Sequence, residues 1–202
     1  MSGNFVQMFS RYTGEDTQPE AEVRVLSPWF GPPDEELGVC VPQGLVLGRS
    51  EHAVVALGHV TAYSTGLGFD FLALARGLRE REAQRLMHEQ HMLDEELSDN
   101  VLRIGIELAD GSRAPNLGDR RRFWGSQAEP EQPILVPHGG GGGSSGAGNF
   151  MLRPGYWLWP LPPAGAFTIY VEWPAVGIEL ERTELDAAPI LEAAGRSLRL
   201  WT

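Results

Sequence analysis

A chain of 202 residues with 42% hydrophobic and 21% charged residues has the composition of a globular protein, which excludes disorder throughout. At this length folding removes about 70% of the unfolded surface from water, so one domain can hold a core without disulfide staples. The 27 acidic residues outweigh 16 basic ones, all arginine, for a formal charge of −11; a surface of that sign repels phosphate backbones and excludes nucleic acid and anionic membranes as general partners.

Cys40 is the only cysteine, so no intrachain disulfide forms and an oxidising destination gains no support. The first residues, MSGNFVQMFSRYTGED, show neither a basic n-region nor a continuous apolar h-region. No apolar run approaches the roughly 20 residues that span a bilayer. These features lead us to expect a cytoplasmic protein.

Residues 1–36 read as an irregular segment broken by Pro19, Pro28, Pro32 and Pro33, with Val23, Val25 and Trp29 suggesting one edge strand. From residue 37 onward, short β-branched runs alternate with Gly, Pro and polar turns: 38–41, 44–47, 53–57 and 59–63. Residues 68–76 put Phe69, Phe71, Ala73 and Ala75 on one face, with Leu72 and Leu74 on the other, which suits an inner strand. Residues 78–97 differ in kind. They lack Gly, Pro, Val, Ile and Thr and carry a weak stripe of Leu78, Leu86, Met87, Met92 and Leu93, so they predict a solvent-exposed helical insertion. Alternation resumes over 100–108 and ends in Asp110-Gly111, a strong turn pair.

Residues 112–133 read as a polar loop, 134–137 as a short strand, and the glycine tract 139–148 as a flexible loop or hairpin. Tyr156–Trp159 and Phe167–Trp173, joined by Pro160-Leu161-Pro162-Pro163, read as the two strands of a hairpin. A further strand covers 178–183, and Asp186 is placed to cap a short helix over 187–194 that ends at Gly195. Many short strands at close spacing predict an all-β fold. We expect a two-sheet antiparallel sandwich, Ig-like or jelly-roll-like, over 37–202, with the insertion at 78–97 and a short C-terminal helix.

The segments Tyr156–Pro163, Glu172-Trp173-Pro174 and Leu185-Asp186-Ala187-Ala188 resemble an uncharacterised bacterial family from GC-rich genomes. The likeness extends back through Tyr63 and Asp110-Gly111. It implies a β-sandwich and no assigned activity.

Chemistry-bearing motifs are sparse. The glycine tract lacks the Gly-Lys-Ser/Thr and the following helix that a phosphate cradle needs. His88-Glu89-Gln90-His91 falls one residue short of the zincin spacing; His88 and His91, with Glu95 in reach, could share a helix face but lack a third strong ligand. His52, His59 and His138 are scattered, Ser64, Ser144 and Ser145 sit in turns and loops, and Cys40 reads as a small core residue. Neither a catalytic constellation nor a cofactor or metal is expected.

The aromatic cluster Tyr156, Trp157, Trp159 and Trp173 is the candidate binding patch; its competing reading is core, with Trp157 and Trp159 packed against Phe167, Ile169 and Val171. The leading functional reading is a non-catalytic module that binds another protein. The alternatives are a hydrolase or carbohydrate-active protein with a loop-built site, and a structural subunit of a larger assembly.

Overall fold

A computed structural model describes residues 27–90, 97–117, 129–146 and 148–201. The suggested strand around Val23 and Val25 lies outside them, as do Arg120 to Arg122, His91 and Glu95.

The fold is all-β. The elements are β1 (Glu36–Leu37), β2 (Val39–Arg49), β3 (Ala53–Ala62), β4 (Leu67–Arg76), α1 (Glu80–Glu89), β5 (Arg103–Glu107), β6 (Arg113–Pro115), β7 (Ile134–Gly146), β8 (Asn149–Trp159), β9 (Ala166–Trp173), β10 (Ile178–Asp186), α2 (Ala188–Ala194) and β11 (Leu198–Arg199). A five-stranded antiparallel sheet runs β2-β3-β4-β8-β7 and a four-stranded one β10-β9-β5-β6, while β1 and β11 form a separate two-stranded ribbon. The two larger sheets face one another without closing into a barrel.

Strand alternation builds the core between them. In β4, Leu67, Phe69, Phe71, Ala73 and Ala75 are buried while the residues between them are partly exposed. In β9 the inward set is Phe167, Ile169, Val171 and Trp173. Rings meet across the gap edge to face, Phe69 against Phe167 at 6.2 Å and Phe150 against Trp173 at 5.7 Å. Buried Asn116 accepts from the Ile104 amide at 2.9 Å and donates to the Leu102 carbonyl and the Tyr156 hydroxyl, both at 3.0 Å, so its polar atoms are satisfied where they leave water.

Several local expectations change, and β6 falls within the stretch 112–133 read as a polar loop. β8 and β9 do not pair: the proline turn hands the chain from one sheet to the other, and β8 lies between β4 and β7. Of the two readings of the glycine tract the hairpin holds and the loop does not, since β7 runs to Gly146 opposite β8. Backbone pairing needs no side chains, and composition alone hides it. Cys40 is exposed on β2 rather than in the core, because alternation buries its neighbours Val39 and Val41 part-way instead.

The insertion is also less exposed than its composition suggests. α1 buries Ala83 and Leu86, and Leu86 joins the main core. After the helix, the Gln90 side chain donates to the Asn100 carbonyl and accepts from the Leu102 amide, tying the segment to the start of β5. At the other end of the chain, the Asp186 carboxylate accepts from the Ala188 amide as expected of a cap, and α2 lays Ile190, Ala193 and Ala194 into the core.

Candidate functional site

The four aromatic candidates do not share a surface. Tyr156 points into the main core with Leu158, and Trp173 is fully buried there, its indole N–H donating to the Asn100 carbonyl at 2.9 Å. Trp157 and Trp159 lie together on one side of β8, as period-two alternation requires, but that side is the outer face of the five-stranded sheet. Phe167, Ile169 and Val171 therefore oppose Tyr156 and Leu158, not the two tryptophans.

A second, smaller core forms on that outer face. Trp157 packs with Trp29, Ile134 and Val136, with Phe30, Tyr63 and Trp159 at its margin. Trp29 meets Trp159 at 5.8 Å and Tyr63 meets Trp157 at 5.6 Å, both edge to face. The Trp157 indole N–H donates to the Pro28 carbonyl at 3.0 Å. The arm around Pro28–Phe30 thus covers a surface that would otherwise be an exposed indole. Trp157 is fully buried; Trp159 is only half-buried.

Just beyond this patch the sheet is irregular at one level. Register slips occur between Pro42 and Leu45 in β2, between Leu57 and His59 in β3, and between Pro137 and Gly140 in β7. Such bulges re-aim side chains. At the last one Gly140 has φ of 79° and lies so close to β8 that a side chain there would meet the Gly155 amide and Arg153 carbonyl.

Around these slips sit His59, Asp70 and His138, with His59 Nε2 2.9 Å from Asp70 Oδ2. A cavity of about 100 Å³ is lined by Pro32, Thr61, Tyr63, Asp70, His138 and Trp157 among others. Burial holds the His138 imidazole below its ordinary value, with Asp34 offsetting part of the effect, so the ring is neutral at pH 7. Burial, then the charges of Glu36 and Asp70, push the Tyr63 phenol up.

This cavity is smaller than a substrate site, for ligand pockets begin near 300 Å³. No described serine or cysteine is set against its histidines. Ser64 instead donates its hydroxyl to Glu36 Oε2 and its amide to Oε1, each at 2.6 Å, and no hydrogen bond joins Cys40 to His59. His88 is exposed on α1, and no group of three or more His, Cys, Asp or Glu among the described residues could hold a metal ion.

An exposed apolar surface lies elsewhere, on the β1–β11 ribbon, where Leu198–Arg199, within residues 198–201 whose sequence suits a final short strand or a packed tail, supply the second strand. Leu37 is registered opposite Leu198, and the Leu200 amide continues the ladder to the Glu35 carbonyl at 2.8 Å. Leu37, Leu198 and Leu200 therefore share one face. They are 58%, 59% and 49% exposed, and the neighbouring Trp201 is 71% exposed.

The ribbon is held from behind. Glu36, pointing the opposite way to Leu37, clamps the Ser64 turn, and α2 anchors the approach to β11. Burial alone would raise the Glu36 pKa, but hydrogen bonds from Ser64 and Ser197 and the charge of Arg199 hold it below the usual carboxylate value. Among the described residues no helix is long and apolar enough to cross a membrane. Comparison with known proteins finds no matching family model, no matching curated relative and no matching solved structure.

Proposed function

We propose that this protein is a non-catalytic interaction module that docks on another protein through the apolar face of the β1–β11 ribbon. One observation carries the reading: Leu37, Leu198 and Leu200 stand exposed on one face of a ribbon fixed by the Glu36–Ser64 clamp. A two-stranded ribbon buries too little by itself to be stable, and contiguous exposed apolar side chains mark contact surfaces. Leucines presented on fixed backbone cost less entropy to bury than side chains on a mobile tail.

The charge of −11 favours a protein over nucleic acid as the partner. A single cysteine fits a cytoplasmic setting. The resemblance of Tyr156–Pro163 to an uncharacterised bacterial family belongs to the same proposal and adds no activity to it. For the hydrolase alternative, the His59–Asp70 pair has, among the described residues, no nucleophile beside it, and the cavity at Asp70 is below substrate size.

The test is affinity capture from the native cell with the wild-type chain and with the double variant Leu37→Asp/Leu198→Asp. The double variant should keep the wild-type melting temperature to within a few degrees and lose a stoichiometric partner that the wild type retains. An identical captured set from both proteins would remove the ribbon as the docking surface.

A further inference from the structure

The end of the sandwich away from the ribbon carries two broad concavities. Two clefts flank the β2–β3 turn, and they share Ser50, Glu51, His52 and Arg76. The first, about 660 Å³, opens between that turn and the start of β8 and has Val54, Leu74, Ala75 and Met151 in its wall. The second, about 610 Å³, runs toward α1 and the single turn at Pro174–Val176, with Leu78, Arg85, Leu86 and Val176 in its wall. Each is within the size of a small-molecule site.

The walls are fixed rather than improvised. The Ser50 hydroxyl donates to the Val176 carbonyl at 2.6 Å and accepts from the Ala53 amide at 3.0 Å, so the turn between the clefts is tied to the opposite sheet. Arg76 Nη2 donates to the Glu51 carbonyl at 3.1 Å and its amide donates to the His52 carbonyl at 2.8 Å, which sets the guanidinium in the shared wall.

Charge decides what fits. Arg49 and Arg76 line the first cleft and Arg76 and Arg85 the second; Arg85 acts on the Glu89 carboxylate of its own helix, whereas no carboxylate among the described residues forms an ion pair with Arg49 or Arg76. Acidic residues outnumber basic ones in the chain, so carboxylates are plentiful, yet Arg49 and Arg76 line one cleft without an ion pair. Of the two acids that line the clefts, Glu82 accepts the Arg79 amide at 2.7 Å, and Glu51 stands 3.9 Å from His52. The remaining acidic surface opposes a multiply charged anion. A single carboxylate matches the geometry of a guanidinium fork, and the apolar floor asks for a hydrocarbon attached to it.

We propose that the first cleft binds an amphipathic carboxylate, with an alkyl chain on Val54, Leu74 and Met151 and the headgroup taken by Arg49 and Arg76. The site is separate from the ribbon, so either surface can fail without the other.

Calorimetric titration of the full chain with decanoate, decyltrimethylammonium and acetate reads the proposal directly. Decanoate should bind at one site, with acetate and the cationic amphiphile each weaker by about tenfold or more, since a charge-assisted pair and the buried chain must both contribute. Arg49→Gln should weaken decanoate by about tenfold and leave the melting temperature of the free protein unchanged, because the Arg49 side chain makes no ion pair in the fold. Leu74→Gln should weaken decanoate while sparing the preference for the anion. No saturable heat from decanoate, equal binding of the cationic amphiphile, or unchanged affinity in the arginine variant would each overturn the assignment.

Discussion

Trp157 and Trp159 sit two positions apart on one strand, and the fold treats them differently. Trp157 is enclosed by Trp29, Ile134 and Val136 and donates to the Pro28 carbonyl, whereas one side of Trp159 meets solvent. Trp157→Ala should cost about 3–5 kcal/mol, the range for losing a buried aromatic ring, and Trp159→Ala clearly less. Urea melts of the two variants check this, and equal losses would contradict the placement. That both rings share a side was legible from alternation alone. Which side was not, because the cover is Trp29-Phe30 in a proline-broken stretch that carries no strand period. His138 adds a pH signature to the same patch. Its imidazole titrates below the ordinary 6.5, so the unfolded chain binds the proton more readily. Its contribution is complete above pH 6.5 and is lost as pH falls through the depressed folded value. His138→Phe should flatten that part of the stability profile. Glu36, whose pKa is also lowered, acts only at more acid pH, below its ordinary 4.5, so the two effects separate.

At the scale of elements, α1 shows why composition and packing part company. The end of β-branched alternation marked it as helical, but its apolar stripe is too thin to announce burial. Leu86 does most of that burying, with Ala83 beside it and Met87 half-covered, while hydrogen bonds from Gln90 do what a wider stripe would. Leu86→Ala should cost about 2–5 kcal/mol. Replacing 79–96 by a short Gly/Ser loop should lower the melting temperature as well, where the sequence alone predicts no change; an unaltered transition would return the helix to the status of an ornament. The glycine tract misleads in the opposite direction. Turn chemistry at Asp110-Gly111 was legible because Gly111 adopts φ of 82° between paired strands. The run from Gly139 carries no side-chain pattern to read, and its strand is defined by Met151 and the other β8 residues across from it.

For the whole molecule, the all-β sandwich was readable because β4 and β9 write their inward faces as period-two runs of large apolar residues. The candidate sites were not, since the ribbon unites Leu37 with Leu198 and the first cleft unites Arg49 with Arg76 and Met151 across long stretches of chain. The same stitching bears on the route to the native state. β2, β3 and β4 form a local meander and β7 with β8 a local hairpin, yet the sheet exists only when β4 joins β8 through pairs such as Leu67 with Leu158. Loop closure must precede that pairing, and non-local closure slows folding. Joining the two halves is therefore the predicted rate-limiting event, with α2 docking after it. In stopped-flow chevrons Leu158→Ala should slow refolding, whereas Ile190→Ala should speed unfolding and leave the refolding rate near that of the wild type. The reverse pattern would mean that the C-terminal helix, not the central seam, nucleates the fold.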